Sequence, residues 1–203
     1  MHASTSLDTL IRERRIWRGR PAALPPGTQP TGLAALDAAL PTGGWPEASL
    51  TEILIPADGV GELQLVLPAV ARLTQRRRRV AVVAPPYPPY APAWRAAGVD
   101  LCWLTLIATQ CEQVAWSMEQ CLRSGSCAAV LGWPAGADDT ALRRLQVAAN
   151  TGQALGFAFR DRTALGNASP AALRIEIDVT RARLIVHKCR GGNPPPPIAF
   201  AHA

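Results

Sequence analysis

The stretch LTEILIPADGVGELQLVLPAVARLTQ (50–75) constrains the fold more than any other. A compact apolar run is followed by a turn holding Gly59 and Gly61, and then by apolar residues at helical spacing. A buried strand, a tight turn and a helix in that order form the local setting of a phosphate-binding loop.

The same alternation continues along the chain. VAVVA (80–84), LCWLTLI (101–107), CAAVLGW (127–133) and ALGFAFR (154–160) read as strands. Helices are expected in TGLAALDAAL (31–40), started by Thr31, in AWRAAG (93–98) and in DDTALRRLQVAANTG (138–152). Thr109 and Glu112 have capping-box spacing before a helix with Val114, Ala115, Met118, Cys121 and Leu122 on one face. PPYPPY (85–90) fits no regular element. ALRIEIDV (172–179) and RLIVHKC (183–189) alternate as the strands of a hairpin. The expected class is α/β: a mostly parallel twisted sheet flanked by helices, with an antiparallel C-terminal hairpin.

Three segments are expected. Residues 1–18 form an amphipathic helix for docking or oligomerisation, with Leu7, Leu10, Ile11, Arg14 and Trp17 as its contact residues. Residues 19–30 are a proline-rich linker, and 31–203 are the domain.

The turn has lost the chemistry of its type. A working loop reads Gly-x-x-x-x-Gly-Lys-Ser/Thr: backbone N–H groups cradle phosphate, the lysine bridges it and the hydroxyl holds magnesium. Here those positions are Pro56, Gly61, Glu62 and Leu63. A carboxylate about 4 Å from a phosphate charge is repelled by roughly 4 kcal/mol at an effective dielectric of 20. That is about three decades of affinity, before the missing lysine is counted. Neither ATP binding nor hydrolysis is expected, and no cofactor.

Nothing else supplies a catalytic centre. The place of a water-positioning carboxylate holds PPYPPY, and the strand in AAVLGWP (128–134) ends in Gly132 and Trp133 rather than an acid. His187 is the only histidine away from the termini and reads as packed or solvated, while Glu112 and Glu119 read as caps and surface charges. Five cysteines without a C-x-x-C pair read as reduced thiols of a cytosolic protein. There is no apolar run long enough to span a membrane.

The net charge of +6 is clustered in the N-terminal arginines, in Arg76–Arg79 and in Lys188 and Arg190. Lys188 and Arg190 are expected on a partner-binding edge. Arg160 and Arg162 are the candidates for DNA contact, in a loop with no aromatic to stack on a base. Any single-stranded DNA affinity is expected to be weak and steeply salt-dependent. Six tryptophans favour protein contact; Trp103, Trp116 and Trp133 are expected in the core.

PTGLAALDAALPTGGWPEASLTEIL (30–54) resembles the opening segment of a RecA core, at Thr31–Gly32, Leu36–Asp37, Leu40, Gly43–Gly44, Pro46 and Glu52. AWRAAGVDLCWLTLI (93–107) resembles a later RecA segment. More closely, IWRGR (16–20), GVGELQLVLPAVARLT (59–74), APPYPPYAPAWRAAGVD (84–100), WSMEQCLRSGSCAAVLGWP (116–134), SPAALRIEI (169–177) and KCRGG (188–192) resemble the ImuA family, relatives of the SulA division inhibitors. The resemblance implies a RecA-like domain with a degenerate P-loop, acting without catalysis in damage-induced mutagenic translesion synthesis. It implies ImuB, an inactive Y-family polymerase homologue, as partner, together with an error-prone C-family polymerase and RecA. Homo-oligomers and a nucleoid-associated cytoplasmic location belong to the same expectation. The alternative is a SulA-like inhibitor that binds the division tubulin.

Overall fold

The computed structural model describes residues 29–200. The expected N-terminal contact residues, Leu7, Leu10, Ile11, Arg14 and Trp17, lie outside them, as does most of the expected linker.

Helix α1 (Ala34–Ala39) precedes strand β1 (Leu50–Ile55), helix α2 (Glu62–Gln75) and β2 (Val80–Val83). Then come α3 (Ala91–Ala96), β3 (Leu104–Ile107), α4 (Val114–Arg123), β4 (Ala129–Gly132), α5 (Asp139–Thr151) and β5 (Leu155–Asp161). Strands β6 (Leu173–Asp178), β7 (Arg183–Cys189) and β8 (Ile198–Ala199) end the described chain. The sheet runs β3-β2-β4-β5-β1-β6-β7-β8. Its first six strands are parallel, while β7 and β8 are antiparallel to their neighbours. This is the α/β class expected from the alternation, including the hairpin.

Strand side chains alternate between faces, so each strand serves two cores. Ile53 and Ile55 join Leu65, Val66, Val70 and Trp94 on one face. Leu50, Val83 and Val130 join Met118, Leu122, Leu142 and Leu145 on the other. Trp45 is completely buried and meets Phe157 edge-on at 5.0 Å.

The segment before β1 is held by close local contacts. Asp37 Oδ1 accepts the Thr31 N–H at 2.7 Å, and Thr31 Oγ1 accepts the Leu33 N–H at 3.1 Å. Thr31 therefore ties down the approach, and α1 starts three residues later with no side-chain cap. Gly32 has φ +94°, and a Cβ there would meet Pro68 of α2 at 2.6 Å. Only glycine lets this strap lie on the helix.

Several expectations fail locally. LCW (101–103) is a 3₁₀ turn rather than strand, and another 3₁₀ turn, Cys111–Gln113, precedes α4. Thr109 Oγ1 bonds Gln113 Oε1 and no side chain caps α4, so the capping box does not form. Trp116 is exposed rather than in the core. Glu119 is buried and not a surface charge, with its carboxylate 2.8 Å from Arg123 and 2.7 Å from Arg144 of α5.

Candidate functional site

The turn after β1 leads into α2 through Gly59 and Gly61. Gly59 and Gly61 take φ +82° and +92°, values that L side chains rarely adopt, and Gly61 caps α2. Glu62 is the first residue of the helix and is 3% exposed. Its Oε1 accepts the Gly59 N–H at 2.9 Å, folding the carboxylate back into the turn. An anion at a helix N-terminus is favourable in itself; here the chain provides its own. Oε2 is buried with no hydrogen-bond partner among the described residues. Leu63 packs toward the core and Pro56 is exposed. The residues the sequence singled out are therefore together in one turn, with the Glu62 carboxylate folded onto its backbone.

A cleft of about 680 Å³ opens beside this turn, at the carboxyl ends of β1, β2, β4 and β5. Ile55, Val114, Trp133 and Phe159 give it apolar walls, with Asp58, Asp138 and Asp161 among its charged groups. Asp161 is held below the usual carboxylate range by the Thr163 hydroxyl and then by the Thr163 N–H. Trp133 stacks on Phe159 at 4.6 Å. At the end of β4 a Cβ on Gly132 would meet Met118 Sδ at 2.5 Å, so any side chain there would require Met118 to shift. After β2 comes Ala84 and then the prolines. Among the described residues no group of three or more His, Cys, Asp or Glu could hold a metal ion.

Arg160 also reaches this cleft, but its charge is engaged. Glu52, fully buried in the middle of β1, lies 2.6 Å from Arg160 Nη1 of β5 and 2.8 Å from Arg174 Nε of β6. The second contact is an ion pair without the alignment of a hydrogen bond. The remaining guanidinium donors go to loop carbonyls: Arg160 to Ala137, and Arg174 to Ala164, Leu165 and Asn167. Two loops at the carboxyl end of the sheet are thus fastened to one buried charge cluster. Releasing Arg160 for a phosphate would leave Glu52 short of a partner, a costly exchange in a dry interior. Arg162, its companion in the sequence reading, is exposed in a 3₁₀ turn (Arg162–Gly166).

Lys188 and Arg190 lie at the opposite end of the sheet, where β7 finishes beside the start of β6. Both are exposed, and Lys188 Nζ donates to the Ser169 carbonyl at 2.7 Å. Burial, then the charges of Arg190 and Arg174, hold Lys188 below the ordinary lysine value. His187 Nε2 lies 2.7 Å from Glu176 Oε2 on the neighbouring strand, a pair inside the hairpin. All five cysteines are free thiols.

The charge cluster is what the sequence reading missed. Its signal was a charged residue in each of three apolar strands: Glu52 in LTEILI, Arg160 in GFAFR and Arg174 in ALRIEI. A charge in a buried strand demands a partner.

No family model matches the sequence, and no curated protein does. Among solved structures the chain is similar to SulA from Pseudomonas aeruginosa, with 25% identity over 57% of this chain and 98% of that one. The TM-score is 0.47, and at that value the likeness carries no argument about fold or activity.

Proposed function

We propose that this chain is a non-catalytic accessory protein of damage-induced mutagenic translesion synthesis, of the ImuA type, built on a RecA-like domain whose P-loop has become structural. One observation carries the loss of ATPase chemistry: the Glu62 carboxylate occupies the Gly59 N–H that would otherwise face a phosphate. The end of β4 carries Gly132, packed against Met118, and no acid, which supports the same reading. The adaptor role itself rests on the sequence resemblance, which runs through nearly the whole chain. Its partner is ImuB, through which it supports the error-prone C-family polymerase; RecA is a further partner, and the site of action is the nucleoid.

The test is complex formation without nucleotide. The purified chain is mixed with ImuB and, separately, with the division tubulin, and the products are sized by light scattering after gel filtration. A stable ImuB complex of defined stoichiometry supports the proposal. Binding to the tubulin alone overturns it in favour of a SulA-like inhibitor. A complex that forms only with ATP overturns the structural role given to Glu62.

A further inference from the structure

The two ends of the sheet differ in charge. The carboxyl end, with the cleft, mixes both signs: Asp58 follows β1, Glu112 follows β3, Asp138 follows β4, and Asp161 and Asp178 end β5 and β6, with Arg162, Arg181 and Arg183 beside the last two. At the amino end cations predominate, although Asp100 lies there before β3. Arg76, Arg77, Arg78 and Arg79 join α2 to the start of β2, and Lys188 and Arg190 reach the same end because β7 runs antiparallel. All six are exposed, and among the described residues none forms an ion pair with a carboxylate. The loops that lie between these two groups, before β4, β5, β1 and β6, contribute one carboxylate, Glu47.

Topology gives this basic face a length. From β2 to β7 the sheet order passes through β4, β5, β1 and β6. At about 4.8 Å per strand step, the arginine run and the Lys188–Arg190 pair are roughly 24 Å apart. Part of the face is held in place. Arg79 Nη1 donates to Thr105 Oγ1 at 3.0 Å, and its guanidinium lies 5.7 Å from the half-buried Trp103 ring. Lys188 is held by the Ser169 carbonyl.

We propose that the amino end of the sheet is a binding track for the sugar–phosphate backbone of single-stranded nucleic acid, on the side of the domain opposite the cleft. The composition favours nucleic acid over an acidic protein segment. Five of the six cations are arginine, whose planar fork suits phosphate, and Trp103 adds an aromatic edge beside Arg79. The track does not depend on the adaptor reading: it would serve any protein with this surface.

The test uses the full chain and a fluorescent single-stranded oligothymidylate, with affinity followed as salt is raised. Six phosphate contacts predict a log–log slope of about −4. Replacing Arg76→Ser, Arg77→Ser and Arg78→Ser together should flatten the slope by about 2, and Lys188→Ser with Arg190→Ser by about 1.4. Arg162→Ser at the carboxyl end should leave both slope and affinity as they were. Unchanged urea midpoints separate loss of binding from loss of fold. The proposal fails if the wild type does not bind at low salt or if both amino-end variants bind normally. It also fails if only Arg162→Ser, or only Arg12→Ser with Arg14→Ser and Arg15→Ser, removes binding. Polyglutamate competing as well as unlabelled oligonucleotide would assign the face to an acidic protein instead.

Discussion

Glu52 and Glu62 are both carboxylates removed from water, one on β1 and one on the helix that follows it, and they are held in opposite ways. Glu52 faces two guanidinium groups from neighbouring strands, and those groups fasten two loops. Glu62 has a single backbone N–H for one oxygen and no hydrogen-bond partner for the other. The first is the hub of a network; the second is a plug in a turn. The partners of Glu52 are distant in sequence, whereas the partner of Glu62 lies three residues away.

The largest expected effect comes from removing the hub. Glu52→Gln leaves Arg160 and Arg174 buried without their counter-charge, and urea unfolding should show a loss of about 3–5 kcal/mol. Loops 132–139 and 160–170 should become open to protease in the same variant. A midpoint within error of wild type would show that the loops hold themselves and that the two glutamates do not differ as described.

Next comes the turn itself. Gly59→Ala meets no neighbouring atom within 4 Å, so its cost is conformational, from φ +82°, and should be roughly 1 kcal/mol. A loss of several kcal/mol would mean that the turn is as critical as the hub.

Glu62→Gln should shift stability by no more than about 1 kcal/mol, because its amide oxygen can still accept the Gly59 N–H. ATP should remain unbound, since Pro56 and Leu63 are unchanged. Glu62→Ala sharpens the contrast: with the carboxylate gone, millimolar phosphate should raise the melting temperature by ~2–4 °C, about 1 kcal/mol for a domain of this size. The wild type should not respond. Equal responses would mean that Glu62 does not occupy the anion position.

The smallest effect belongs to an exposed carboxylate at the cleft. Thr163→Val removes the hydroxyl that is the main cause of the lowered Asp161 pKa. The folded-state value lies below the unfolded one, so this stabilisation is present above the ordinary carboxylate pKa and is lost as pH falls through the folded value. In the variant, an NMR titration should find Asp161 closer to its ordinary range, with acid unfolding beginning at a slightly higher pH. An unmoved titration would remove the hydroxyl from the account.

The sheet was legible because its apolar runs are short, separate and interrupted by helical patterns, and the hairpin because ALRIEIDV and RLIVHKC alternate. Trp116 could have been placed correctly: two residues beyond Val114, it points away from the face of Val114, Met118 and Leu122. Glu119 could not, because Arg144, which helps to keep its charge buried, belongs to the next helix. Strand β8 follows four prolines and is two residues long, too short for any alternation. The shape of the turn was written in Gly59 and Gly61, but Pro56, Glu62 and Leu63 could say only which residues of a phosphate-loop pattern are missing. That Glu62 turns inward to satisfy Gly59 is a matter of side-chain direction.

The position of β1 also has a consequence for how the chain is made. Its neighbours in the sheet are β5 and β6, so LTEILI has no strand to pair with until residues 155–178 exist. At translation rates of roughly 5–20 residues per second, the hundred or so intervening residues take about 5–20 s to emerge. For that interval an apolar segment carrying an uncompensated Glu52 waits on the ribosome. The charge that later binds three strands together makes the segment a poorer template for premature pairing while it waits.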